Sequence, residues 1–172
     1  MLSEIVERIR RNHALEHATL HLLEAQRPNL RAGGRATSQG FYLYGDLPDE
    51  AAVHAAANEA IRRMQAGQRD LAVHPRCGTN VVTAGILSGA LAMLGILASG
   101  KRAPWYVQLP NAILGAMIGA LLAQPLGPWM QAKVTTSAEV NGAQVRSVRS
   151  RQAGGMVAHF VETDHAPTSR AD

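Results

Sequence analysis

His13, Glu16 and His17, in the run His13-Ala-Leu-Glu-His17, are the first residues of this chain whose types and spacing could do chemistry. On a helix turning 100° per residue, His17 lies about 40° from His13 and Glu16 about 60° to the other side. Both imidazoles can then reach one ion while the carboxylate flanks it. This is the reversed zincin pattern, in which two histidines bind zinc and the glutamate is general base on the attacking water. His21, one turn further on, is a further donor or an extra ligand. Taken alone, the five-residue pattern reads more readily as a set of satisfied core histidines.

A second motif shifts that balance. His74-Pro-Arg-Cys77-Gly-Thr79 offers a third and a fourth ligand in His74 and Cys77, with Pro75 and Gly78 to turn them toward one point. A thiolate suits zinc or copper better than magnesium, so zinc is the expected ion. Arg76 is a candidate to stabilise developing negative charge or to bind an anionic headgroup; it reads equally as a basic residue at a helix mouth. A Cys77 nucleophile activated by His74 ranks below ligation.

The elements that must position these residues follow from periodicity. Residues 3–26 read as an amphipathic helix, with Ser3 as N-cap and Pro28 as the stop. Its apolar stripe, Leu2, Ile5, Val6 and Ile9, continues into His13, Glu16, His17 and Leu20, so the polar cluster sits on the face expected to be buried. Residues 29–40 read as a loop, and Phe41 to Tyr44 as a strand closed by Gly45-Asp46. A second helix is expected over about 48–66, burying Val53, Ala57, Ala60 and Met64, and Leu71-Ala72-Val73 as a strand. His54 is expected on a helix surface, His159 in a strand and His165 in the tail.

Between Arg76 and Lys101 lie 24 residues without a charged side chain, and between Arg102 and Lys133 another 30. Each stretch is long enough to span a bilayer. Pro110 and Pro125 should bracket the second helix, and Trp105 and Trp129 flank it as interfacial aromatics do. Gly85-x-x-x-Gly89 and Gly115-x-x-x-Gly119 would let the two helices pack closely. Residues 138–162 read as a β-hairpin turning through Gly154-Gly155. Most basic residues flank the pair of helices, which puts both termini in the cytoplasm by the positive-inside rule.

Composition agrees. With 172 residues and one cysteine, no intrachain disulfide can form and a reducing compartment is favoured. The net charge is +4, but the arginines are scattered and not interleaved with stacking aromatics, so no nucleic-acid partner is expected.

The two motifs resemble those of the YqhQ-like bacterial membrane proteins, a family of predicted metal-dependent enzymes. The matching positions are His13, Glu16, His17 and Thr19, then His74, Pro75, Arg76, Cys77, Gly78 and Thr79. The chain departs from that pattern at Ala14, Leu15, Ala18 and Asn80, and has a longer spacer and fewer membrane segments. It also resembles a group of short bacterial proteins known only as a domain of unknown function.

The expected fold is α+β: a small cytoplasmic domain of two helices and an antiparallel sheet, with a two-helix transmembrane hairpin. Residues 1–78 carry both motifs, 79–131 form the hairpin (about 79–99 and 109–129), 132–165 a β-hairpin packing on the first region, and 166–172 a disordered tail. The expected function is that of an inner-membrane protein with zinc held by His13, His17, His74 and Cys77, and with Glu16 and Arg76 as catalytic groups. A metal-dependent hydrolase acting on a membrane protein or lipid is one reading. A non-catalytic membrane subunit with a structural metal or polar cluster is the alternative.

Overall fold

The computed structural model describes residues 2–100, 102–153 and 156–165; the expected turn at 154–155 and the tail at 166–172 lie outside the described residues. The chain divides into two compact units. One joins the residues up to His74 with those from Ala132 onward, and the other is Pro75–Gln131.

In the first unit, α1 (Leu2–Gln26) precedes β1 (Ala32–Thr37), β2 (Gly40–Gly45) and α2 (Glu50–Gln65). A 3-10 turn follows at Arg69–Ala72, and β3 (Gln144–Ala153) and β4 (Met156–Asp164) complete the unit. The four strands form one antiparallel sheet in the order β1-β2-β4-β3. With the two helices of the second unit, the fold is α+β, with four α-helices among the described residues. Alternation along β2 turns Phe41 and Leu43 inward and Tyr42 outward, where it meets Phe160. The inward residues and Val161 share a core with Leu15 and Leu23 of α1 and Val53, Ala57, Ala60 and Met64 of α2. Asp49 caps α2 by accepting a hydrogen bond from Ala52 N–H at 2.8 Å.

Several local expectations change. The stripe Leu2, Ile5, Val6 and Ile9 is exposed, Leu2 to 78%. Burial of α1 instead begins at Asn12 and then runs almost all round the helix to Leu23. Ser3 lies inside the first turn and does not cap it. The region 29–40 holds a strand, β1, because its backbone pairs with β2 from Ala32↔Gly45 to Thr37↔Gly40. Residues 71–73 do not form a strand; Leu71 and Ala72 belong to the 3-10 turn.

The second unit is the helical pair α3 (Gly78–Ala98) and α4 (Trp105–Met130), the latter running on into a π turn at Gln131–Thr135. Both helices are long and apolar enough to cross a membrane, with 18-residue stretches whose mean hydropathies are 2.2 and 1.5. Pro110 and Pro125 do not bracket α4 but lie inside it, with Pro128. Of the two glycine pairs, only one is at the helix contact. Gly115 faces the Leu91 carbonyl and Gly119 the backbone of Leu87 and Ser88, whereas Gly85 and Gly89 face open space. On α3 the close approach falls instead at Gly95, against the Asn111 carbonyl. Polar clasps close the pair: Gln131 donates to Asn80 at 2.6 Å, and Asn111 donates to the Ser99 hydroxyl at 2.8 Å.

Candidate metal centre

The file of histidines on α1 follows from helical spacing. His13, His17 and His21 recur at i, i+4 and i+8, and Glu24, eleven residues after His13, returns to within about 20° of it. The rings of His13 and His17 meet edge to face with centroids 4.4 Å apart. His74 enters from the segment after the 3-10 turn, its ring 5.7 Å from that of His17 and 4.5 Å from that of His21.

Backbone carbonyls fix how three of these rings present their nitrogens. His13 Nδ1 lies 2.9 Å from Thr135 O, His17 Nδ1 2.7 Å from Ala72 O, and His21 Nε2 2.8 Å from Val73 O. A carbonyl can only accept, so each of these ring atoms carries its hydrogen and donates. In the neutral ring the opposite nitrogen then holds the lone pair: Nε2 of His13, Nε2 of His17 and Nδ1 of His21. Fixing one nitrogen on a carbonyl while the other carries a lone pair is how metal-ligating histidines are oriented.

The segment that reaches His13 is itself clamped. Arg10 donates to the carbonyls of Lys133 and Thr136 at 3.1 and 3.0 Å and pairs with Glu7 at 2.9 Å. Ser137 returns the clamp, its N–H to Arg10 O at 3.0 Å and its hydroxyl to Glu7 at 2.7 Å. The Thr135 carbonyl is thereby held against α1.

His74 is 1% exposed, and its Nε2 lies 3.3 Å from Glu24 Oε1. Burial, with smaller contributions from His21 and His17, pushes its pKa down to about 4 against the pull of Glu24. It is therefore neutral at pH 7, the form in which imidazole ligates. The ligand atoms of His21, Glu24 and His74 all lie within 4.8 Å of one another. Nitrogen donors with a carboxylate fit zinc and its first-row neighbours.

The other sequence candidates are placed as follows. Glu16 is 4% exposed, and its carboxylate packs on β1, where a Cβ on Gly34 would come within 2.6 Å of Oε1. Arg76 is exposed in the turn before α3. Cys77 caps α3, its Sγ accepting from Thr79 N–H at 3.4 Å. His54 is on the α2 surface as expected. His159 stays apart from the file, bonded to the Ser150 hydroxyl at 2.8 Å and the Pro48 carbonyl at 2.9 Å. His165 is not a loose tail residue: its Nε2 meets Asn12 Oδ1 at 2.6 Å. Glu24 is the residue that motif reading missed. Its signal was the return of the helical face three turns beyond His13.

A family model described as a domain of unknown function (DUF6391) matches residues 8–148, a span that contains both motifs. The chain belongs to this family. It is also similar to an uncharacterised protein of Picosynechococcus sp., 34% identical over 167 residues that cover 89% of this chain and 78% of the relative. No solved structure matches the chain. The family description names no activity, so function is argued from the site.

Proposed function

We propose that this is an integral protein of the bacterial inner membrane that holds a zinc ion with His13 and His17 of α1 and uses it for hydrolysis. The observation that carries the reading is the carbonyl anchoring of the two rings, which gives both Nε2 atoms the lone pair a metal needs. The likeness of both motifs to those of the YqhQ-like proteins supports the same assignment. In the hydrolytic reading a bound ion would supply Lewis acidity, Glu16 would serve as the base for the attacking water, and Arg76 would bind an anionic lipid or protein group.

Membrane residence is supported by the two helices. Val81, Ile86, Leu97, Leu114, Met117 and Leu121 are each more than half exposed. Leaving such side chains in water forgoes roughly 1.5–3 kcal/mol each, so these six alone favour an apolar surrounding by on the order of 10 kcal/mol. Trp105 and Trp129, about 36 Å apart along α4, suit the two interfaces. The distribution of basic residues supports both termini facing the cytoplasm.

A second reading is a non-catalytic membrane subunit with a structural ion. It is favoured by the burial of His17 and His74, at 2% and 1% exposure. Elemental analysis of detergent-purified protein tests the common core: stoichiometric zinc is expected, and less in His13→Ala/His17→Ala. A metal-free wild type overturns both readings. Glu16→Gln separates them, since an enzyme keeps its zinc and loses turnover while a structural site loses neither zinc nor function.

A further inference from the structure

We infer that α1 carries a second metal position, one turn beyond the His13–His17 pair, formed by His21, Glu24 and His74. It rests on the reading of α1 as a metal-binding helix but uses different ligands. The sequence grouped His74 with His13, His17 and Cys77 at one position; the geometry draws it to the second.

His21 and Glu24 are three residues apart on one helical face, as His13 and His17 are four apart. One ligand atom from each of His21, Glu24 and His74 lies within 4.8 Å of the others. The separation of His74 Nε2 from Glu24 Oε1 is 3.3 Å. That equals the edge, about 3.3 Å, of a tetrahedron with bonds of about 2.0 Å to zinc. Val73 O holds His21 Nε2–H at 2.8 Å, which leaves Nδ1 as the ligating atom.

One short segment organises both positions. Ala72 supplies the carbonyl that anchors His17, Val73 the carbonyl that anchors His21, and His74 a ligand. Two nitrogens and a carboxylate make three protein donors, the number found where a fourth position stays open to exchangeable ligands. The donor set selects a divalent first-row transition ion over calcium or magnesium.

The experiment counts zinc in full-length protein, stripped with chelator in detergent and reloaded with zinc alone. Two ions per chain are expected in wild type, and one in His21→Ala and in His13→Ala/His17→Ala. Glu24→Gln, which keeps size and polarity, should weaken only one of the two binding steps, by more than about tenfold; thermal unfolding of the apo form verifies that each variant is folded. A single ion that survives His21→Ala and Glu24→Gln overturns the second position and leaves the first. A single ion that survives His13→Ala/His17→Ala but not His21→Ala overturns the first and leaves the second. A wild type that takes up no zinc overturns both.

Discussion

His17 Nδ1 lies 2.7 Å from the carbonyl oxygen of Ala72, 55 residues further along the chain. This bond accounts for the failure of residues 71–73 to form a strand. The carbonyls of Ala72 and Val73 turn to His17 and His21 in place of a neighbouring strand. The short apolar run Leu71-Ala72-Val73 that suggested a strand is overridden by two side chains from a helix.

Gly34 is the residue that gives Glu16 its room. A Cβ there would sit 2.6 Å from Oε1 and 2.7 Å from Cδ of Glu16. Gly34→Ala should therefore destabilise the protein by about 1–3 kcal/mol in denaturant unfolding. Gly34→Ala combined with Glu16→Ala should cost less than the sum of the single changes, because the clash is gone. Strict additivity would show that the strain lies elsewhere.

The two glycine pairs should respond in opposite ways. Gly115→Leu would drive a side chain into the backbone at Leu91 and should lower the unfolding temperature by several degrees. Gly85→Leu faces open space and should leave stability within about 0.5 kcal/mol of wild type. Equal sensitivity at both positions would contradict the helix contact described.

Acid should weaken the first unit through His165. Burial first, then the charges of Arg11 and Arg8, press its pKa down to about 4, against the opposing pull of Asp164 and Glu7. In the unfolded chain the same ring takes its proton near pH 6.5. Between those values the unfolded state binds more protons, so stability is full above about pH 6.5 and is lost as pH falls toward about 4. His165→Gln should flatten that part of the stability–pH curve of the zinc-free protein. An unchanged slope would mean that His165 titrates normally.

Much of the frame was legible. Phe41 to Tyr44, the inner face of α2 and the two long apolar helices are stated by their own periodicity. What was not legible depended on partners distant in sequence. Leu2, Ile5, Val6 and Ile9 have a helical apolar stripe, yet core packing of α1 starts only at Asn12. Residues 32–37 lack strand-forming composition and become β1 through pairing with β2. Proline punctuation misled at Pro110 and Pro125, which α4 absorbs; membrane-type helices tolerate such breaks in their hydrogen bonding. At the site, His13 and His17 were legible because helix geometry brings them together. Glu24 was hidden because a five-residue motif cannot show a face that returns eleven residues later.

The central claim is that α1 holds a metal through His13 and His17. X-ray absorption at the zinc edge, on reloaded wild type and on His13→Ala/His17→Ala, tests it most directly. The account predicts a low-coordinate first shell dominated by imidazole nitrogen at about 2.0 Å, and in the double variant about half the zinc, with only the contribution of His21, Glu24 and His74 left. An oxygen-only, six-coordinate shell that is unchanged by the double substitution would contradict it.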